Sequence, residues 1–315
     1  MGKALRGISL EDKGMGDLPN VTAEQVEAAI DRFTDVQEIG RGGQKLVFSG
    51  LVDGERYAIK FLRAPGDDLD SDETEFDFTP DMVVRAHREV ETMRECKSQY
   101  MVKLGPIGLE YAEVEGESLV FFTEELIAGS DLHERYVKQK KTLSPKDIVL
   151  LGIHITHAIA AIWELKKVHR DIKPGNIMRR DNEDFVLLDA GLAFDKLGES
   201  VSGGGLVGTP IYFSPEQFEY ANRRSVLDYR SDMFALGVTM YQLATGQHPF
   251  YTRGDRSGEV YSNIRKADPP PPHSMDPLIP EELSEIILRM MGKAPHLRFR
   301  KCDKLIERLS AVEVA

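Results

Sequence analysis

Residues 167–178 read Lys167-Val168-His169-Arg170-Asp171-Ile172-Lys173-Pro174-Gly175-Asn176-Ile177-Met178, and the reading of this stretch decides the fold. From Asp171 to Asn176 it offers a carboxylate for a hydroxyl proton, a cation for a phosphoryl group in transit and an amide oxygen for a hard cation. Any one of these residues is ordinary loop surface. Their order and close spacing point to one chemistry.

The stretch follows a long helical pattern. Ser144-Pro145-Lys146-Asp147 is a helix start, and Ile148, Leu151, Ile155, Ile159 and Ile162 recur at three- and four-residue steps, predicting a helix that ends near Val168. Downstream, the run Leu187-Leu188-Asp189-Ala190-Gly191 places a second carboxylate, Asp189, after a short apolar strand, where it would hold another face of a metal.

Working back towards the N-terminus, Gly40-Arg41-Gly42-Gly43-Gln44-Lys45-Leu46-Val47 lies between two strand patterns. Glycines let backbone N–H groups approach phosphate oxygens without obstruction. A glycine cluster alone also fits any hairpin. The apolar strand ending Tyr57-Ala58-Ile59-Lys60 sharpens the phosphate reading, because burying a lysine is costly unless an anion pairs with it. The plainer alternative sets Lys60 at a strand edge.

The rest of the chain frames these motifs. Its 315 residues, 41% hydrophobic and 29% charged, suffice for two lobes with buried cores. The net charge of -12 argues against nucleic acid or an anionic membrane as the main partner. Cys96 and Cys302 have no metal-ligand spacing, and the expectation is a cytoplasmic protein with reduced thiols. No membrane span is expected, since the longest apolar candidate, 148–163, is broken by His154 and His157.

Residues 1–32 read as a charged tail and a short helix over 22–32, with Thr22 as N-cap and Gln25 completing a capping box. Strands follow from residue 33. Eight carboxylates in 67–81 mark a solvated loop, and Thr79-Pro80-Asp81 opens a helix running to about Cys96. Two extended runs end in Ser118–Ile127, and helices are expected over 233–243, 281–292 and 303–312. Strands first and helices later predict an α+β chain: an N-lobe over 33–126 and a C-lobe over 127–315, with a ligand cleft between them.

Taken together, these motifs resemble eukaryotic-like (Hanks-type) serine/threonine protein kinases, with a lean towards bacterial members, over about residues 33–311. The resemblance implies a bilobal fold: a small antiparallel β-sheet N-lobe with one main helix, and a larger, mostly helical C-lobe. It implies ATP and Mg²⁺ as ligands and protein Ser/Thr hydroxyls as acceptors. By resemblance, Gly40, Gly42 and Gly43 cover the ATP phosphates, Lys60 grips the α- and β-phosphates, and Glu89 pairs with Lys60, with Glu91 as the fallback. Asp171 would accept the hydroxyl proton, Lys173 would neutralise the moving phosphoryl group, and Asn176 and Asp189 would hold Mg²⁺. Val47, Ala58 and Met178 would contact adenine. Glu216 would pair with Arg298, and Asp232 would anchor the catalytic loop. Lys173 within Asp171–Asn176 resembles the serine/threonine rather than the tyrosine branch.

The chain departs from the family at Lys45, which replaces the third loop glycine, and at Ala190, which replaces the usual aromatic after the metal-binding aspartate. These departures motivate the alternative of a pseudokinase acting as a nucleotide-binding scaffold. Against it, Lys60, Asp171, Lys173, Asn176 and Asp189 are all intact. A small-molecule phosphotransferase of related fold would lack the segment Gly208-Thr209-Pro210…Pro215-Glu216. The alignment around Thr123, Glu124 and Glu125 is ambiguous by one residue, so the gatekeeper stays unassigned. Arg170 beside Asp171 suggests activation by phosphate, with Ser200 and Ser202 as first choices ahead of Thr209 and Tyr212.

Overall fold

The computed structural model describes residues 20–42, 45–63, 79–189, 194–195, 210–220 and 227–314. The expected acidic loop of 67–81 lies outside them up to residue 78, as do Gly43, Ala190, Ser200, Ser202 and Thr209. Among the described residues the chain divides into two compact units, 20–95 with 102–126, and 96–101 with 127–314.

The N-terminal unit opens with α1 (Ala23–Ala29), whose capping box is complete: Thr22 N–H donates to Gln25 Oε1 at 2.8 Å and Gln25 N–H to Thr22 Oγ1 at 3.3 Å. The helix stops at Ala29 rather than reaching residue 32, because Ile30 turns extended and swings Phe33 into the core. Strands β1 (Thr34–Gly42), β2 (Lys45–Val52), β3 (Glu55–Arg63), β4 (Glu110–Val114) and β5 (Glu117–Glu125) form an antiparallel sheet in the order β1-β2-β3-β5-β4. Helix α2 (Thr79–Glu95) interrupts the strand sequence.

Strand alternation gives this sheet two different faces. Leu46 faces Phe61, which faces Phe121, and all three are buried in a core shared with Val26 of α1 and with Ile30 just after it. Phe33 meets Phe121 edge-on with ring centroids 5.5 Å apart, and Phe61 stacks on Phe121 at 5.4 Å. The opposite face carries Val47, Lys60 and Phe122 in one row and Ser49, Ala58 and Glu124 in the next. Residues 1–32 are therefore not a separate segment in their described part, since α1 completes the core of this unit.

In the C-terminal unit, α3 (Pro145–Glu164) is capped by Ser144, whose Oγ accepts from Asp147 N–H at 3.1 Å. All five residues of the expected apolar stripe are buried. Helix α3 ends at Glu164, short of Val168, because Lys166 takes a left-handed φ of 62° and Lys167–Val168 become strand β6, paired with β9 (Phe194–Asp195). Between them lies the hairpin β7 (Ile177–Arg179) and β8 (Phe185–Leu187). The helices α4 (Pro215–Tyr220), α5 (Tyr229–Thr245), α6 (Ser257–Lys266), α7 (Pro272–Met275), α8 (Glu281–Met290) and α9 (Cys302–Ser310) follow.

Two expectations need correction here. Residues 96–101 belong with the C-terminal unit rather than with 33–126: Leu187 N–H donates to Tyr100 O at 2.9 Å, and the Tyr100 ring stacks on His154 at 4.2 Å. Helix α3 is also long and apolar enough to cross a membrane by length and composition. Its apolar stripe packs inside the unit, beside α5 and α9.

Candidate active site

Each unit carries its own cluster of site residues. In the N-terminal unit, Lys60 points from β3 onto the polar sheet face, where its Nζ lies 3.0 Å from Glu89 Oε1 of α2. Glu89 is wholly buried while Glu91 is exposed, so the helix presents the first of the two candidates to the lysine. A second carboxylate reaches the same ammonium: Glu124 Oε2 of β5 lies 2.8 Å from Lys60 Nζ. Lys45, at the start of β2, pairs with Glu89 Oε2.

Strand register explains the convergence. Lys60 stands opposite both Val47 and Phe122, and Ala58 opposite both Ser49 and Glu124, so these side chains share one face. Gly40 is opposite Val47, and an added Cβ there would meet Val47 Cβ at 3.9 Å, an ordinary contact. Gly40 and Gly42 both lie in β1, and Gly43 lies outside the described residues. Ala58 is buried and Val47 half-buried. Thr123 faces the core instead, its hydroxyl donating to Ile107 O and accepting from Ile107 N–H, both at 2.9 Å.

In the C-terminal unit, the loop after β6 is held from beneath. Asp232, on the first turn of α5 and almost wholly buried, accepts the N–H of His169 through one oxygen and of Arg170 through the other, each at 2.8 Å. Burial pushes its carboxyl above the ordinary range, opposed by His169 and by the two backbone donors. His169 accepts Asp171 N–H at Nδ1 (3.3 Å) and sets Nε2 3.1 Å from Leu188 O, which fixes Nε2 as the protonated nitrogen. Arg170 holds a left-handed φ of 72°, and its carbonyl accepts from Gln217 Nε2 at 3.1 Å.

This frame presents the chemical groups. Asp171 Oδ2 is 2.9 Å from Lys173 Nζ and accepts from Asn176 Nδ2 at 2.9 Å, while Nδ2 also donates to Asp171 O at 2.8 Å. The backbone carbonyl of Asn176 accepts Leu188 N–H at 2.8 Å, which brings Asp189, with φ of 54°, alongside in the chain. Met178 is half-buried on β7. Among the described residues there is no cluster of three or more His, Cys, Asp or Glu side chains able to hold a metal by itself. The oxygens of Asn176 and Asp189 fit a small hard cation that takes its remaining ligands from water and phosphate, as Mg²⁺ does.

Glu216 begins α4 and receives Arg298 Nη1 on Oε1 at 2.6 Å and Nη2 on Oε2 at 2.9 Å. Burial alone would raise its carboxyl, but bonding and charge from Arg298 outweigh it and hold the group below the ordinary range. Tyr212, one of the four acceptors considered for activation, is buried and donates its hydroxyl to Gln242 Oε1 at 2.6 Å.

Comparison with known proteins now has geometry behind it. The sequence profile of the protein kinase domain matches residues 33–308. The chain belongs to the protein kinase domain family. Relatives include the "Serine/threonine-protein kinase pkn3" of Myxococcus xanthus, 32% identical over 290 residues that cover 87% of this chain and 49% of the relative. A "Probable serine/threonine-protein kinase" of Streptomyces coelicolor is 30% identical over 274 residues, 85% of this chain and 38% of that protein. The "Serine/threonine-protein kinase PknE" of Mycobacterium bovis is 30% identical over 268 residues, 85% of this chain and 44% of that one. The chain thus spans less than half the length of these curated relatives. Family membership implies ATP as the phosphate donor of this kinase domain.

The structure pairs Glu89 with Lys60, sets Lys173 and Asn176 beside Asp171, and adds Glu124, to which the sequence reading assigned no role. The signal was available: Phe122 and Glu124 alternate in phase with Ala58 and Lys60 on the neighbouring strand.

Proposed function

We propose that the chain transfers the γ-phosphate of Mg-ATP to serine or threonine hydroxyls of protein substrates, itself among them. The observation that carries this reading is the convergence of Lys173 and Asn176 on Asp171 Oδ2, both at 2.9 Å. That contact orients the carboxylate, and we assign Oδ1 to the substrate hydroxyl's proton. The hydroxyl oxygen bonds to the γ-phosphorus, the bond from phosphorus to the β–γ bridging oxygen breaks, and ADP leaves. Asp171 takes the proton, and Lys173 offsets charge on the equatorial oxygens.

Lys60, steadied by Glu89, binds the α- and β-phosphates, while Gly40, Gly42 and Gly43 admit backbone N–H groups to them. Asn176 and Asp189 would hold Mg²⁺, which would supply positive charge against the phosphates. Val47, Ala58 and Met178 supply apolar surface to the adenine. Names of the relatives support the serine/threonine assignment, as does Lys173. A cytoplasmic setting belongs to the same proposal and is supported by the free thiols of Cys96 and Cys302.

The test is incubation with Mg-ATP carrying a labelled γ-phosphate, alone and with generic protein acceptors, beside Asp171→Asn. We expect label on serine or threonine only with the unaltered protein, and transfer about 10²–10⁴-fold slower in the variant. Equal labelling of both proteins, or of neither, would overturn the assignment.

A further inference from the structure

Lys45 and Lys60 engage opposite oxygens of a single carboxylate, Glu89. The side chains of the two lysines are only 17% and 8% exposed and that of Glu89 not at all. Enclosed ammonium groups are costly unless opposite charge pairs with them. Glu124 brings a second carboxylate to Lys60. It enters from β5 with 6% of its side chain exposed, shares a sheet face with Lys60, and sets Oε2 2.8 Å from the Lys60 ammonium. Burial raises the Glu124 carboxyl above its ordinary range against the pull of Lys60, with Glu89 adding to the rise.

We propose that Glu124 is a positioning residue for Lys60: it balances the extra cation Lys45, fixes Lys60 from a second element and moderates the positive charge that meets nucleotide phosphate. This rests on the reading of Lys60 as the phosphate-binding lysine. Lys45, which breaks the glycine pattern of the loop, and Glu124, in the ambiguous stretch of β5, then form a matched pair of departures. Removing the Glu124 charge at constant volume has two effects of opposite sign. The cluster becomes more positive and holds a triphosphate more tightly, while Lys60 loses an anchor and is presented less accurately.

The first measurement needs no nucleotide, so its failure is distinct from failure of the kinase assignment. The unliganded protein and Glu124→Gln are treated with an amine-reactive acetyl ester at fixed pH, and acetylation of Lys60 is followed by peptide mass spectrometry. Loss of a neighbouring opposite charge lowers a lysine pKa, so Lys60 should react about tenfold faster in the variant. Steady-state kinetics should show KM for Mg-ATP and kcat both falling several-fold, a split that a packing defect does not produce. The double variant Lys45→Met/Glu124→Gln, which restores the original net charge of the cluster, should return KM towards the starting value. Where Glu124→Gln fails to fold, Glu124→Asp takes its place, keeping the charge but withdrawing it, with faster acetylation and unchanged KM expected. Unchanged Lys60 reactivity in a folded variant, or unchanged KM and kcat in Glu124→Gln, would overturn the proposal.

Discussion

Arg298 and Glu216 stand 82 residues apart in the chain, yet they meet in a two-pronged ion pair that leaves none of the arginine side chain exposed. Further hydrogen bonds reinforce it. Arg298 donates to Arg230 O at 2.7 Å and to Gly292 O at 2.8 Å, and Ser231 Oγ donates to Glu216 Oε1 at 2.8 Å. Removing one partner strands the other charge. Arg298→Met or Glu216→Gln should each cost about 3–5 kcal/mol in denaturant unfolding. Arg298→Lys should not rescue, because an ammonium cannot fork across two oxygens.

Asp232 ties the two backbone N–H groups immediately before Asp171 to a helix. Asp232→Asn leaves one acceptor where two are needed and turns an amide donor towards another donor. Stability should fall by about 1.5–3 kcal/mol, the range for a hydrogen bond to a charged group. Because the altered frame carries Asp171 rather than the nucleotide, kcat should fall while KM for ATP holds. Steady-state kinetics alongside thermal melting separates the two.

His248 is partly buried, edge-on to the Tyr212 ring, and the loss of water around it pulls it from its ordinary 6.5 down to about 3. The unfolded chain therefore takes up a proton at this site before the folded protein does. The contribution is fully present above the ordinary value and is lost as pH falls from there towards about 3, by up to ~1.4 kcal/mol per pH unit. Denaturant unfolding measured across that range should show the slope, and His248→Gln should flatten it.

Gly105 leaves no room for a methyl group, since an added Cβ would lie 2.5 Å from Thr123 Oγ1. That hydroxyl bridges the N–H and carbonyl of Ile107 beneath β5. Gly105→Ala should destabilise the protein by about 1–3 kcal/mol, read from its thermal midpoint.

Much of this was legible from sequence, for reasons that differ by residue. Asp171, Lys173 and Asn176 lie within one short loop, so chain spacing alone brings them together. Glu89 needed only the phase of a helix to separate it from Glu91. Glu124 was not legible, because a one-residue uncertainty in a strand exchanges its two faces, and Thr123, Glu124 and Glu125 point in alternating directions. Helix ends were misplaced where a single backbone angle decides them: the left-handed Lys166 stops α3 before Val168, and extended Ile30 stops α1 before Arg32. Neither angle is written in a side chain's polarity.

The family profile begins at residue 33, whereas Val21, Val26 and Ile30 already belong to the core of the N-terminal sheet. The autonomous folding unit thus starts about a dozen residues before the recognisable domain. A shortened protein beginning at residue 33 would carry an uncovered band of leucine and phenylalanine. Its first symptom would be self-association in solution, with the chemistry of Asp171 and Lys60 intact in every copy that stayed dispersed.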